Sequence, residues 1–588
     1  MCGIAGMVGR RHDVAVLVDQ MTAALAHRGP DGAGCFRSLT PDGRAVLALG
    51  HRRLAILDLS ETGRQPMTTR DGRWTLALNG EIFNYVELRA QLAHERHLAF
   101  HSTTDTEVLL EACAAWGVEK TLERVVGMFT FALWDAVDGE LILARDRVGE
   151  KPLVYFWDGS TLAFASEMKA LAPVHDGRLN AEAVDVYLAL GYVPAPLGIF
   201  RNTAKLRAGH LARWKQGHLT VQRWWFPENA SERPVEGPGA PRLQEQLREH
   251  VADAVRLRLR SDVPVALALS GGLDSSAIAA ELARQGAQPD AFTVVFDNDS
   301  TDLPFARAVA ARYGLRLEVI RAEGQSVSAE FALAQRHYDE PFADSSGLAS
   351  LALARALGGR YKVILNGDGG DEAFAGYRHY EFIGAKQMVK AAAAAVGCRD
   401  GSGAAGVYIQ SKTVFRRQER AGLLGPYDSG DALGKLIASD EFLRVPAPGA
   451  LKQALWSDRH LYLANDLTYK MDIALGAYGI EGRAPFLDHR LLEWAQTLEP
   501  RELVRGREKK VLLRDAYRAD LPANVTARAK HGFGAPIGAW LEGPLAVRAR
   551  MKLPCPLLED RSQAACTGQR LWALLTFAEW AQQWRATW

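Results

Sequence analysis

Val263-Pro264-Val265-Ala266-Leu267-Ala268-Leu269-Ser270-Gly271-Gly272-Leu273-Asp274-Ser275 decides how the larger half of this chain folds. An apolar run of strand length enters a two-glycine loop, and a helical stretch over Ser276–Gln285 follows. Two glycines let the backbone turn tightly, while successive N–H groups and the helix N-terminus point at an anion. Ser270 and Ser275 add hydroxyl donors, and Asp274 can hold a magnesium ion that bridges phosphates. A P-loop would need Lys after the second glycine, so this is a different phosphate loop. The alternative is a glycine turn that holds no ligand.

Further apolar strands are expected at Phe292–Phe296, Leu317–Ile320 and Lys362–Leu365, with a strong helix over Leu243–Leu259. Strands that alternate with helices and are apolar throughout argue for a parallel α/β sheet. Asn366-Gly367-Asp368-Gly369-Gly370-Asp371-Glu372 also follows an apolar strand, so both loops are expected at the carboxyl edge of one sheet. Its acidic residues suit a magnesium site or a base, against the alternative of a solvated turn. The last hundred residues read as mainly helical, and Ala391–Ala395 opens a low-complexity stretch.

Ahead of this half, Phe226–Pro241 is Pro-, Gly- and charge-rich, a natural linker. The first two hundred residues carry short alternating segments: Ala45–Leu49, Trp74–Leu78, Phe129–Trp134 and Glu140–Ala144. Helices are expected at Val14–Ala26 and Asp105–Trp116. At 588 residues the chain exceeds a single core. The expected layout is a first domain at 1–210, a connecting segment at 211–241 and a second domain at 242–588. With 70 basic against 69 acidic side chains, no footprint for nucleic acid or anionic membrane exists. No apolar run reaches the ~20 residues of a membrane helix. Six scattered cysteines without metal-like spacing fit free thiols in a reducing cytoplasm.

Cys2, in Met1-Cys2-Gly3-Ile4-Ala5-Gly6, becomes a nucleophile with its own base if Met1 is removed. Its thiol and α-amine would titrate near ~8.5 and ~8, so the amine can take the thiol's proton.

Taken together, these motifs resemble the glutamine-dependent asparagine synthetases of class B type. The likeness extends through His27-Arg28-Gly29-Pro30-Asp31-Gly32, Asn79-Gly80-Glu81-Ile82-Phe83-Asn84, Thr104-Asp105-Thr106-Glu107, Arg145-Asp146-Arg147-Val148-Gly149, Glu481-Gly482-Arg483-Ala484-Pro485-Phe486-Leu487-Asp488 and Arg528-Ala529-Lys530-His531-Gly532-Phe533, in family order. The resemblance implies an α+β N-terminal-nucleophile domain, with stacked antiparallel sheets between helices, followed by an α/β ATP-pyrophosphatase domain with a helical C-terminal part. It implies that Cys2 attacks the glutamine amide, with Asn79 and Gly80 as oxyanion hole. Arg53 would bind the α-carboxylate, Asp105 and Glu81 the ammonium, and Leu54, Ile56 and Leu57 would line the site. A surface ion pair is the alternative for Arg53, and a helix N-cap for Asp105.

ATP would be held by Leu269, Ser270, Gly271, Gly272, Leu273, Asp274, Ser275, Val294, Asn366, Gly367 and Lys530, with Mg2+ on Asp274 and Asp371. Asp368 takes the place of the family's acidic residue proposed to influence adenylate formation or ammonia deprotonation. Ammonia would pass between domains through a dry tunnel. The implied reaction converts ATP, aspartate and glutamine into AMP, diphosphate, asparagine and glutamate; dimers are known in the family. One departure concerns the acceptor. Where the best-studied pattern has Thr-Thr-Ile-Arg, this chain has Ala343-Asp344-Ser345-Ser346, with no Arg nearby. A sugar uronic acid or a peptide carboxylate is therefore an alternative acceptor. A non-catalytic glutamine or ATP sensor is the reading from another class.

Overall fold

The computed structural model describes residues 1–227, 240–296, 302–322, 324–382, 403–441, 443, 449–528, 535–550 and 568–588. Most of the expected linker, the Ala391–Ala395 stretch and Lys530 lie outside those residues.

The strands of the first domain are β1 (Gly3–Gly9), β2 (Gly32–Leu39), β3 (Val46–Arg53), β4 (Met67–Thr68), β5 (Trp74–Ile82), β6 (Gly127–Asp135), β7 (Glu140–Arg145), β8 (Val154–Trp157), β9 (Leu162–Ala165), β10 (Thr203–Lys205), β11 (His210–Lys215) and β12 (His218–Arg223). They pair antiparallel in two sheets, ordered β10-β8-β9-β1-β3-β2 and β12-β11-β7-β6-β5-β4. The period-two alternation of strands sets the layering. Ile4 and Val8 join Ala132, Trp134 and Phe164 in the core between the sheets. Ala5 and Met7 face the other way, onto Leu17, Val18 and Met21 of the helix Val14–Ala24. Phe129, Phe131 and Leu133 pack under the helices Tyr85–Arg96 and Asp105–Trp116. The result is helix, sheet, sheet, helix.

The expected boundary at residue 210 is corrected by β11, which pairs with β7, and by β12, which pairs with β11. The outer sheet is complete only at Arg223. Lys215, Gln216, Gly217 and His218 make a tight reversal, with positive φ at Gln216 and Gly217, that joins the two strands in one hairpin.

In the second domain β13 (Val265–Ala268), β14 (Ala291–Phe296), β15 (Leu317–Ala322), β16 (Val363–Leu365) and β17 (Glu481–Arg483) form a parallel sheet in the order β15-β14-β13-β16-β17. Pro264 has no N–H to give a ladder, so β13 starts one residue later. The following helix spans Leu273–Arg284, earlier than expected, because Gly272 serves as its N-cap and Asp274 and Ser275 already lie in the first turn. A helix over Ala450–Ser457 continues through a π-helical stretch, Asp458–Leu467, into Thr468–Gly476. The last helix, Gly568–Gln583, returns to the first domain, where the Tyr187 hydroxyl donates to the Ala573 carbonyl at 2.7 Å. Among the described residues no helix is long and apolar enough to cross a membrane.

Candidate active sites at the two sheet edges

Cys2 precedes β1, with its carbonyl held by Arg28 Nε at 2.8 Å. The Leu54 N–H donates to Cys2 Sγ at 3.4 Å. Burial pushes the thiol up, and the nearby terminal amine and Leu54 oppose it. That amine, on Met1, is buried and driven down to about 5.

Asn79 lies on β5 with no exposure, and neither its Nδ2 nor its Oδ1 has a hydrogen-bond partner among the described residues. A buried amide left unpaired on both atoms is costly unless a ligand completes it. Gly80 has φ +145°, and a Cβ there would stand 2.0 Å from the Met128 carbonyl oxygen, so only glycine fits. The Arg53 guanidinium donates to the carbonyls of Ser60, at 2.6 Å, Leu57 and Asp58. No carboxylate among the described residues pairs with it, so its charge is available to an anion. Leu54, Ile56 and Leu57 are all buried.

Asp105 accepts the Ile82 N–H at 2.8 Å, and burial lifts its carboxyl to about 6. The helix it opens is capped by Thr104, whose side chain accepts the Glu107 N–H. The capping alternative for Asp105 therefore falls to its neighbour. Glu81 is raised by burial and by Asp105, although Arg483 Nη2 from β17 donates to it at 3.0 Å. Its other oxygen is unpartnered among the described residues.

The second site lies where β13 and β16 end side by side. Ser270 Oγ and Ser275 Oγ are 3.1 Å apart, and the Gly272 N–H reaches Ser270 Oγ at 3.3 Å. Gly271 has φ +71°, and a Cβ there would run into the Ala306 backbone nitrogen. A Cβ on Gly370 would meet Asp274 Oδ1 at 2.5 Å, so the two loops pack directly on each other. They open on a cavity of about 480 Å³ whose lining includes Leu269, Leu273, Val294, Asn366, Asp368 and Asp371.

Lys510, invisible as a site residue in the sequence reading, is the centre of this arrangement. Its Nζ is 2.6 Å from Asp274 Oδ2 and 2.5 Å from Asp371 Oδ1. Burial alone would discharge it, but the two carboxylates outweigh burial and raise it. Lys509, Arg514 and Arg528 also line the cavity. Two carboxylates converging on one cation also suit Mg2+, which commonly takes one or two carboxylates and completes its shell with phosphate oxygens and water. Among the described residues no three His, Cys, Asp or Glu side chains gather as a metal site of their own.

At the acceptor end, Asp344 Oδ1 accepts from the Ser346 N–H at 2.9 Å and the Ser346 hydroxyl at 2.7 Å. A cation does stand beside this segment: Lys470 donates to Asp344 Oδ2 at 3.0 Å and to Ser346 Oγ at 2.8 Å. Burial opposes ionisation of Asp344, yet Lys470 and Ser346 hold it down at about 2. No spacing rule links residues so far apart in sequence; only the fold brings them together.

A small cavity of about 30 Å³ lies between the two sites, lined by Met1, Glu150, Lys151, Asp472 and others. Asn366, Asp368 and Met471 line both this cavity and the large one. Arg28 spans the boundary too, bonded to Cys2 and 2.8 Å from Asp472 Oδ2.

Comparison with known proteins matches residues 1–225 to the glutamine amidotransferase domain and residues 246–583 to asparagine synthase. Asparagine synthetase [glutamine-hydrolyzing] 1 of Bacillus subtilis is 28% identical, covering 99% of this chain and 96% of its own length. Asparagine synthetase [glutamine-hydrolyzing] 3 of the same organism is 28% identical over 91% of this chain and 87% of its own. The amidase chyE of Penicillium rubens is 32% identical over 61% of this chain and 55% of its own.

Proposed function

Because this chain belongs to the asparagine synthase family and carries a glutamine amidotransferase domain ahead of the synthase domain, we propose that it makes asparagine from aspartate, with nitrogen from glutamine and activation by ATP. The observation that carries this reading is the sharing of Asn366, Asp368 and Met471 between the nucleotide cavity and the small cavity beside Met1.

Once Met1 is removed, the Cys2 thiolate attacks the glutamine side-chain carbonyl. Asn79 Nδ2 and the Gly80 N–H receive the developing oxyanion. Arg53 holds the α-carboxylate and Asp105 the α-ammonium. The C–N bond breaks, ammonia leaves, and water cleaves the thioester to glutamate. In the second cavity the acceptor carboxylate attacks the α-phosphorus of ATP, diphosphate leaves, and an acyl-adenylate remains. Ammonia then displaces AMP and the amide forms. Ser270, Gly272 and Ser275 hold the diphosphate, and Lys510 offsets its charge. Mg2+ held by Asp274 and Asp371 would supply further charge neutralisation. Ammonia that enters water is protonated and no longer nucleophilic, so passage by way of Asp368 keeps it reactive. The free thiols Cys2, Cys35 and Cys113 fit a reducing cytoplasm.

The Ala343-Asp344-Ser345-Ser346 segment favours one second reading, the same chemistry on another carboxylate. Diphosphate release with aspartate against a uronic acid separates the two. For the leading reading, Cys2→Ala should abolish glutamine-dependent synthesis and leave ammonia-dependent synthesis intact. Loss of both together would refute the division of labour.

A further inference from the structure

We propose that Lys470, locked to Asp344 and Ser346, is the specificity-determining cation of the acceptor pocket, and that it selects acceptors carrying an α-carboxylate beside an α-ammonium. The inference rests on the reading that an acceptor carboxylate is activated in this cavity, and it names the group that chooses the acceptor.

Position is the first argument. The Ser270–Ser275 loop and the trio Asp344, Ser346 and Lys470 line the same cavity. Lys470 is adjacent in sequence to Met471, which also lines the small cavity beside Met1. It also lies close enough to Asp368 to feel its charge. An acceptor touching Lys470 is therefore within reach of both the adenylating loop and the incoming ammonia.

Local structure is the second. Lys470 follows the π-helical stretch Asp458–Leu467, and such distortions of a helix are frequent at functional sites. Asp466, within that stretch, is 5% exposed, and its Oδ1 has no partner among the described residues.

Charge is the third. An ammonium has three donors, and two of those on Lys470 are committed to Asp344 and Ser346. The Lys470–Asp344 pair is neutral as a whole. An α-amino acid brings one anion and one cation in fixed proximity, so one ion pair can open into two with no uncompensated buried charge. A uronic acid has only its reacting carboxylate, and its hydroxyls offer Lys470 and Asp344 nothing stronger than each other.

The test is diphosphate release with ATP and magnesium, for L-aspartate, succinate, β-alanine and galacturonate, in the native enzyme and in Lys470→Met and Lys470→Arg. Native enzyme should favour aspartate over β-alanine, which lacks the α-carboxylate, and over succinate, which lacks the ammonium. Lys470→Met should raise KM for aspartate at least ~tenfold, about 1.4 kcal/mol, and erase the preference over β-alanine. KM for ATP and glutamine hydrolysis should not move, and Lys470→Arg should restore part of the preference. If Lys470→Met keeps the aspartate to β-alanine ratio, the inference fails while asparagine synthesis stands. Native enzyme that accepts succinate or β-alanine as well as aspartate also refutes it, with no dependence on how a variant folds. Turnover of galacturonate without aspartate would overturn the functional reading itself.

Discussion

The two half-sites solve opposite electrostatic problems. Around Cys2 several groups lack a counterpart: both atoms of the Asn79 amide and one oxygen of Glu81 have no hydrogen-bond partner among the described residues, and Arg53 donates only to backbone carbonyls. At the other edge the cations are already engaged, Lys510 by Asp274 and Asp371, and Lys470 by Asp344. The sheets hold the orphan amide of Asn79 in place, so in the proposed reaction glutamine would complete an existing mould. An engaged ion pair must be opened by its ligands, so in the proposed reaction ATP and the acceptor would bring charges that replace the ones they displace. Preorganised donors act on the chemical step, whereas paired clusters act on what is admitted.

That contrast breaks most readily at Lys510. Lys510→Met leaves Asp274 and Asp371 without their side-chain cation, and losing one partner of a buried pair costs about 3–5 kcal/mol. Synthetase turnover should fall by two orders of magnitude or more in a diphosphate-release assay, with glutamine hydrolysis retained. Equal loss of both activities would mean that the pair holds the fold rather than the site. Next comes Asn79→Ala, which should lower kcat for glutamine hydrolysis by roughly 10²–10³. Its thermal stability should be little changed or higher, because an unpaired buried amide is removed. A fall in Tm with unaltered kcat would show Asn79 to be structural.

The smallest effect is on pH. Asp105 must be ionised to hold the substrate ammonium, and burial lifts its carboxyl to about 6 in the folded protein. Because the acid is raised rather than lowered, protonation on acidification removes the binding charge already near pH 6. kcat/KM for glutamine should therefore decline as pH drops through about 6, while ammonia-dependent kcat/KM for the acceptor keeps its own profile. A glutamine profile flat down to pH 5 would remove Asp105 from the site.

The same contrast explains what could be read in advance. The helix Asp105–Trp116 agrees with its expected limits because Thr104 caps it and apolar periodicity carries it through Cys113. The loop Ser270–Ser275 was legible for a similar reason: strand, glycines and helix are contiguous, so the chemistry is local. Lys510 and Lys470 were not legible. Each reaches its carboxylate from more than a hundred residues away, through helices whose packing no local pattern encodes. Lys530 was chosen for its motif and lies outside the described residues, while Lys510 already meets both candidate magnesium carboxylates. The boundary lies beyond residue 210 because the mostly buried β11 pairs with β7, while the exposed, polar edge strand β12 has a composition that resembles a linker.

In the proposed reaction nitrogen passes internally from Cys2 to Asp368. The direct test supplies amide-15N glutamine with an equal concentration of unlabelled ammonium at neutral pH, and measures 15N in the product amide. If the two half-sites work as one, the product keeps the label of glutamine nearly undiluted. An enrichment equal to the average of the two nitrogen sources would contradict the claim.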